Sequence, residues 1–342
     1  MKKIAVVLFN LGGPDSPRAV APFLFNLFND AAIISVPQPI RVLLAKLISW
    51  RRTKKATAIY QKIGGKSPIL ELTQQQARAL EERLKTYGEY KVFVSMRYWH
   101  PLSRVVVKNV QAYAPDHIIL LPLYPQFSTT TTGSSFDDWE KQCDKISLKV
   151  PTRKVCCYPM QKSFIASHAN LIREYYWKAA EFGRPRILFS AHGLPEKVIM
   201  AGDPYQYQIE KTAAAIIQIL AVDDLDYQVC YQSKVGPLAW IGPSTEDEIA
   251  RAAADKMPVV IVPIAFVSEH SETLVELDID YRYLAEELGV PSYQRVPALA
   301  VEPFFIDALA EIVVSKSDST GISSDTGERF CLRQFGACPC KG

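Results

Sequence analysis

The chain has 342 residues, of which 48% are hydrophobic and 22% are charged. This length suits two domains, and the composition excludes a disordered protein. Lysine and arginine number 39 against 36 aspartates and glutamates, so the net charge of +3 excludes a strongly basic nucleic-acid binder. The seven cysteines are an odd number in a long chain, which does not fit the disulfide framework of a small secreted protein.

The first residues do not form a secretory signal. After Lys2 and Lys3, only the six apolar residues of Ile4–Phe9 precede Asn10, whereas such a signal needs about 7–15. No apolar run is long enough to cross a bilayer as a helix. We therefore expect a cytoplasmic protein with reduced thiols.

Short apolar runs rich in β-branched residues alternate with longer stretches of helical periodicity. The short runs predict strands at Ile4–Phe9, Val92–Met96, Ile118–Leu123, Lys154–Tyr158, Ile187–Ser190, Tyr227–Tyr231 and Val259–Val262. The longer stretches predict helices at Ile69–Tyr87, Leu102–Tyr113, Phe164–Phe182, Tyr207–Ala221, Ser244–Asp255 and Ser271–Leu288. This alternation of apolar strands and helices indicates parallel sheets buried on both faces, and hence an α/β fold.

The pattern divides the chain into three parts. Residues 118–122 and 259–263 are similar apolar runs, each leading to a serine-rich helix start, which indicates two halves of common plan. We predict one half at 1–150 and the other at 151–314. Residues 315–342 then form a cysteine-rich tail that begins with a flexible spacer at Ser315–Gly327.

The segment at residues 31–55 differs in composition from the rest of the first half. Pro39–Trp50 is apolar on one face, and Arg51, Arg52, Lys54 and Lys55 follow it. One interpretation is a core helix that ends in cations, which stabilise a helix C-terminus. The other is an apolar lip over a pocket, or a surface for a membrane or a second copy of the chain.

Ligands of open parallel sheets bind at the carboxyl ends of the strands, so these positions are the candidates for a site. The glycines there form no dinucleotide fingerprint, and Gly64-Gly65-Lys66-Ser67 fits a turn that ends a helix better than a P-loop. His192 directly follows a strand and is either a structural residue or a base. Glu269, Glu272 and Glu276 are spaced to share one helix face, which is either solvated or, beside His270 and opposite His192, suited to binding Fe(II) and relaying protons.

At these residues the sequence resembles the ferrochelatase family, which inserts ferrous iron into porphyrin. The resemblance covers residues 8 to about 285 and rests on long motifs in the family's order. They are LGGP (11–14), YQKIGGKSPI (60–69), MRYWHP (96–101), YPQFSTTTTGSS (124–135), FSAHGLP (189–195), YQSKVGPLAWIGP (231–243) and PIAFVSEHSETLVELD (263–278). It implies two Rossmann-like halves with a porphyrin cleft between them, and the conversion of protoporphyrin IX and Fe(II) to protohaem and two protons.

The resemblance also assigns roles. It implies that His192 is the porphyrin proton acceptor or a metal ligand and that Glu272 is paired with it across the macrocycle. It also implies that His270 and Glu276 belong to the same row of polar side chains, which we call the file. The implied pocket-lining positions are Leu11, Tyr60, Ser67, Arg97, Tyr98, Trp240 and Phe266. Leu11 departs from the methionine of some relatives. A tight wall of Trp240, Phe266 and Leu11 would favour a bent ring, and the Glu272–Glu276 file would carry protons out or bring iron in.

Three cysteines cluster in the tail, at Cys331, Cys338 and Cys340. They are either the free thiols of a tail, with adventitious zinc at most, or the ligands of a thiolate-bound centre, zinc or iron–sulfur, which clustered thiols in a reducing cell favour. The resemblance implies the 2Fe-2S form, because some ferrochelatases bind such a cluster through cysteines of a C-terminal extension and one earlier cysteine. The earlier ligand of the animal-type pattern aligns with Thr129, which cannot bind as a thiolate. Strand alternation puts Cys156 and Cys157 on opposite faces, and we predict Cys157 as the fourth ligand.

The alternatives within the fold are a coproporphyrin chelatase or a chelatase for another tetrapyrrole. An alternative of a different class is a haem-binding carrier, which needs an axial ligand but no proton-relay residues. The expected partners are protoporphyrin IX and either a membrane surface or the preceding haem-pathway enzyme, with no nucleic acid. A homodimer and a peripheral position at the inner membrane are further expectations.

Overall fold

The computed structural model describes residues 2–341 as two compact units. The first unit runs to Cys157 and also contains residues 309–329 and those from Pro339 on; the second contains residues 158–308 and 330–338. Within the described residues, no helix is both long enough and apolar enough to cross a membrane.

The first unit is built on a five-stranded parallel sheet. Its strands are β1 (Lys3–Asn10), β2 (Glu89–Met96), β3 (His117–Pro122), β4 (Thr152–Val155) and β9 (Gly321–Ser323), in the order β2-β1-β3-β4-β9. Its helices are α1 (Val20–Phe28), α2 (Gln38–Gln61), α3 (Ile69–Leu84), α4 (Ser103–Tyr113) and α5 (Ser134–Lys145), with a 3₁₀ turn at Pro17–Ala19 and a π-helical turn at Thr129–Gly133. Phe9, Phe136 and Trp139 pack edge to face in its core, so the sheet is covered by apolar side chains from α4 and α5.

The second unit is built on a four-stranded parallel sheet. Its strands are β5 (Arg186–His192), β6 (Asp226–Gln232), β7 (Val259–Pro263) and β8 (Tyr293–Arg295), in the order β6-β5-β7-β8. Its helices are α6 (Lys162–Ala180), α7 (Glu196–Met200), α8 (Tyr205–Leu220), α9 (Thr245–Ala254) and α10 (Tyr281–Glu287), with a π-helix at Glu272–Asp280. Helix α11 (Pro303–Lys316) starts in this unit and ends in the first.

The predicted α/β class with parallel sheets flanked by helices is confirmed. The strands β1, β3 and β7 are buried along almost their whole length, which is why they appear in the sequence as continuous apolar runs. Gly64 and Gly65 have φ of +86° and +83°, so the GGKS segment is a turn after α2, as predicted.

Several boundaries differ from the prediction. Helix α2 continues through the cations at 51–55 to Gln61, so these cations lie inside the helix and not at its end. The predicted spacer at Ser315–Gly327 is not a featureless linker, because α11 extends to Lys316 and β9 pairs with β4 inside it. The three-residue strands β8 and β9 are shorter than any run that alternation can reveal.

Candidate active site

His192 is the last residue of β5, and the next residue fixes which of its ring nitrogens carries a proton. Its Nδ1 lies 2.6 Å from the carbonyl oxygen of Gly193. A carbonyl oxygen only accepts hydrogen bonds, so Nδ1 is the donor and the neutral ring has its lone pair on Nε2. This Nε2 lies 3.8 Å from Oε1 of Glu272 on the π-helix. The side chain is 36% exposed, so a substrate has access to it.

Glu272 lies between two histidines. Its Oε1 faces His192, and its Oε2 lies 3.7 Å from Nε2 of His270. These distances are contacts and exceed those of hydrogen bonds. Within residues 2–341, the buried Oε2 of Glu272 has no hydrogen-bond partner. Burial lowers the pKa of His270, which therefore stays neutral at physiological pH.

Glu276 lies one turn further along the π-helix in a very different environment. Its Oε1 accepts hydrogen bonds from the backbone N–H of Ser233 (2.9 Å) and the hydroxyl of Tyr281 (3.0 Å). Its Oε2 accepts from the Ser233 hydroxyl and from Nε2 of Gln232 (3.2 Å). Burial raises the pKa of Glu276, and the negative charge of Glu272 raises it further.

Two details of the predicted carboxylate file are wrong. We predicted that His192 and Glu272 pair across the macrocycle, but a flat ring needs roughly 7 Å between them, twice a van der Waals contact. At 3.8 Å they form one group on the same side. Glu269 does not join the file, because its Oε1 accepts hydrogen bonds from Arg295 and from the backbone N–H of Ala298.

Two predicted aromatic residues border this group. The Trp240 ring lies 6.3 Å from the His192 ring, and a Cβ at Gly193 would lie 3.1 Å from Trp240, so glycine permits this approach. The Phe266 ring lies 4.5 Å from the His270 ring. The second unit thus assembles His192, His270, Glu272 and Glu276 beside two flat apolar side chains.

The other predicted pocket residues belong to the first unit. Leu11 packs against the apolar cluster that contains Tyr60 and Tyr98. Tyr60 and Tyr98 are buried, with 7% and 1% exposure, so they support this surface from beneath. The Ser67 backbone N–H donates to the Pro14 carbonyl (2.8 Å), which ties the turn after α2 to the loop after β1.

Asp30 is a buried residue that the sequence did not single out. Its Oδ2 accepts hydrogen bonds from Arg97 (2.8 Å), the Tyr98 hydroxyl (2.7 Å) and the Ser134 hydroxyl. Arg97 also donates through Nε to Ser134 Oγ at 2.6 Å. Asp30 follows α1 as an ordinary turn residue in the sequence, and its partners lie far along the chain. No local pattern reveals it.

The thiols of the proposed cluster are all buried, with exposures of 1% for Cys157, 4% for Cys331, 5% for Cys338 and 3% for Cys340. Cys157 and Cys340 belong to the first unit, and Cys331 and Cys338 to the second. In the described part of the chain, no three cysteine, histidine or acidic side chains form a group that could hold a metal ion. The thiols are of the chemical type that binds iron–sulfur clusters, and their burial is the feature of the structure that agrees with such a role.

The predicted geometry of Cys156 and Cys157 is wrong. Their Sγ atoms lie 3.7 Å apart, so the side chains do not point to opposite faces. The reason is that β4 ends at Val155, one residue before them, and strand alternation no longer applies. Of the remaining cysteines, Cys230 is buried in β6 and Cys143 lies on α5.

The fold is that of the chelatases. Two solved structures share it at 11% sequence identity, which is evidence for the fold alone. SirB from Bacillus subtilis with Fe³⁺ has a TM-score of 0.53, covering 93% of this chain and 97% of its own. The sirohydrochlorin chelatase SirB from Bacillus subtilis subspecies spizizenii in complex with cobalt has a TM-score of 0.50, covering 90% and 92%.

The family follows from sequence similarity. Residues 3–317 match the model of the ferrochelatase family. The ferrochelatase of Caulobacter vibrioides (strain NA1000 / CB15N) is 55% identical, covering 99% of this chain and 98% of the relative. That of Rickettsia bellii (strain OSU 85-389) is 49% identical, covering 99% and 95%. The chain belongs to the ferrochelatase family, and it is an enzyme, a metal chelatase that inserts ferrous iron into a porphyrin.

The Asp30 network predicts a large loss of stability when its charge is removed. Asp30→Asn leaves the Arg97 guanidinium, which is 19% exposed, without its buried counter-charge, and we expect the free energy of unfolding to fall by about 2–4 kcal/mol, less than for a fully buried pair. Urea unfolding followed by circular dichroism measures it. Asp15→Asn, on the exposed loop after β1, is the matched control and should change little. Equal unfolding midpoints for the two variants would show that the Asp30 charge is not needed.

Proposed function

We propose that the porphyrin is protoporphyrin IX and that the products are protohaem and two protons. The observation that carries the proposal is the lone pair of His192 Nε2, which lies beside a carboxylate and is open to a substrate. Porphyrin metallation needs a base at the ring that can take the two pyrrole N–H protons. His192 is that base in our proposal.

Glu272 is the next group in the proposed path. Its Oε1 lies 3.8 Å from Nε2 of His192, and this contact makes Glu272 the residue that receives each proton from the imidazole in our proposal. His192 and Glu272 also offer the nitrogen and oxygen donors that a substrate ferrous ion accepts. Glu276, whose raised pKa makes it a weaker acid than an exposed glutamate, then carries protons from Glu272 or attracts iron. Neutral His270 fixes the far side of Glu272.

The apolar side chains have a mechanical role in the proposal. The pyrrole lone pairs point into the ring plane, so the ring must bend before a metal can enter. Trp240 and Phe266 are rigid surfaces beside His192 and His270, and they favour the bent ring over the flat one. In the first unit, Leu11, Ser67 and Arg97 keep exposed surface and are the proposed contacts with the porphyrin, while Tyr60 and Tyr98 support them.

The alternatives differ in what they require of the site. A haem carrier needs one axial ligand and gains nothing from a row of two histidines and two glutamates. A coproporphyrin chelatase would share the row and would differ in its contacts to the additional carboxylates of the substrate. We favour protoporphyrin because it is the more apolar of the two porphyrins and α2 exposes an apolar face, described below.

The substitution His192→Ala tests the proposed base. We expect kcat for iron insertion to fall by about 10²–10⁴-fold, the usual contribution of a positioned base. The assay uses ferrous iron without oxygen, with protoporphyrin and coproporphyrin side by side. His100→Ala, an exposed histidine of the first unit, is the control and should retain activity. Near wild-type turnover in His192→Ala would contradict the role of His192 as the base. Turnover of the wild type on coproporphyrin alone would contradict protoporphyrin as the substrate. No turnover of the wild type on either porphyrin would favour a carrier.

We also propose that Cys157, Cys331, Cys338 and Cys340 bind a 2Fe-2S cluster, with zinc as the alternative. Their burial supports this, because iron–sulfur ligands in proteins are shielded from solvent. When bound, the cluster would supply a one-electron redox centre, and no step of iron insertion depends on it. The family match ends at residue 317, before the three cysteines of the tail.

Purification without oxygen tests the cluster. We expect a coloured protein with equal amounts of bound iron and sulfide. Cys338→Ser should remove the colour, whereas Cys143→Ser on α5 should keep it. Bound zinc or a colourless wild-type protein without iron and sulfide would overturn the cluster.

The exposed face of α2 supports a cytoplasmic protein that binds the surface of the inner membrane. Ile40, Leu43, Leu47 and Trp50 are 53%, 68%, 43% and 76% exposed and lie three or four residues apart, on one side of the helix. The exposed cations Lys46, Arg51, Lys54 and Lys55 accompany them, while Arg52 stacks on Phe28. An apolar stripe with flanking cations matches a bilayer surface that carries anionic lipids.

Vesicle sedimentation tests this surface. Leu43→Glu with Trp50→Glu should lower the affinity for vesicles of anionic lipid by at least about tenfold, because two apolar side chains no longer insert. Met200→Glu, an equally exposed apolar position on α7, is the control. If the wild type ignores vesicles and sediments as a dimer, the face binds a second copy; if it does neither, a partner such as the preceding haem-pathway enzyme becomes the candidate.

A further inference from the structure

Residues 234–239 form an exposed loop between β6 and Trp240, which we call the flap. All six residues are exposed, including Val235 at 41% and Leu238 at 45%. A segment that buries so little surface cannot hold its own position by packing. Its position therefore depends on the two points at which it joins the folded unit.

At its C-terminal end, the flap is attached to the segment that follows His192. The Glu196 backbone N–H donates to the Ala239 carbonyl (3.0 Å), and the Ile241 N–H donates to the Leu194 carbonyl (3.0 Å). These two bonds form an antiparallel bridge between Pro195 and Trp240. The bridge joins the end of the flap to the segment beside the His192 ring, so both joining points contribute to the placement of Trp240.

At its N-terminal end, the flap is joined to Ser233, whose backbone is strained. Its φ of +64° lies in the left-handed region, where a residue with a Cβ is held only by its surroundings. What holds it is Glu276, which accepts hydrogen bonds from both the backbone N–H and the hydroxyl of Ser233. The neighbouring Gln232 side chain donates to the same carboxylate.

We propose that Glu276 is a positioning residue that fixes the flap through Ser233, and with it the placement of Trp240 beside His192. Four donors converge on this carboxylate, which is more than a group that only passes protons requires. A carboxylate is the side chain that suits them, because it accepts at both oxygens and donates at neither. Glutamine has one accepting oxygen in place of two, and its N–H₂ group cannot accept the hydrogen bonds of the Ser233 backbone N–H or the Gln232 amide.

The consequence for the reaction rests on the proposed function. A loose flap leaves His192 and Glu272 intact but lets Trp240 leave its place at the apolar wall. Porphyrin binding then suffers more than the proton transfer, so KM rises while kcat stays close to wild type. Glu276 itself belongs to the proposed proton path, so the kinetic test must use its partner Ser233.

Hydrogen–deuterium exchange of the purified full chain tests whether Glu276 fixes the flap, without any assay of activity. In Glu276→Gln we expect the amides of residues 233–239 to exchange about tenfold faster, the effect of losing a charge-assisted hydrogen bond. Glu272→Gln is the matched control, a carboxylate one turn away with no bond to the flap, and should leave this segment unchanged. Wild-type exchange in Glu276→Gln, or equal acceleration in both variants, would overturn the proposal.

The substitution Ser233→Ala separates the positioning role of Glu276 from its role in the proposed proton path. It removes the hydroxyl bond and leaves every carboxylate in place. We expect faster exchange at residues 233–239 and a KM for porphyrin raised several-fold, with little change in kcat. A fall in kcat with unchanged exchange would contradict a positioning role. If the wild type proves inactive on porphyrins, the exchange results still show whether Glu276 fixes the flap. Failure of the positioning role and failure of the proposed function are therefore distinguishable.

Discussion

The central strands of both sheets are buried on both faces, and this burial decides where polar side chains can lie. Within β5, the residues from Ile187 to Ala191 are fully buried, and His192 is the first position with access to solvent. An ionisable group inside such a strand would have to lose its hydration without a partner. The carboxyl end of the strand is the nearest place where it can keep its chemistry, which is why the site is located there.

In the proposed mechanism the π-helix at Glu272–Asp280 gives different roles to two carboxylates. Glu272 lies beside two histidines, whereas Glu276 is half-buried among hydrogen-bond donors. Burial and the negative charge of Glu272 raise the pKa of Glu276, and other enzymes also place paired carboxylates in different environments. A π-helical turn also begins α5 in the first unit, at Thr129–Gly133, after the equivalent strand. In both units the irregular turn therefore follows the carboxyl end of a central strand, and in the second unit it carries Glu272 and Glu276.

Much of this arrangement is predictable from the sequence, because strand ends and helix spacing are local signals. They place His192 at the end of β5 and Glu272 and Glu276 on one helix. Features that depend on contacts distant in sequence are not predictable in this way. Asp30 accepts a hydrogen bond from Ser134, which lies more than a hundred residues away in the sequence, and no local pattern predicts this contact. The prediction for Cys156 and Cys157 failed because β4 ends at Val155 and not at Tyr158, so strand alternation does not extend to these two residues.

The contrast between Asp30 and Glu272 distinguishes a structural carboxylate from a chemical one. Asp30 is surrounded by three donors at one oxygen and holds a cation, so it has nothing left to offer a ligand. Glu272 keeps a buried oxygen with no donor within the described residues, and such an oxygen costs about 1–3 kcal/mol of stability. In the proposed mechanism this cost is offset when Glu272 binds a proton or a ferrous ion, because either one would complete the carboxylate. These are the two species that metallation of a porphyrin must handle.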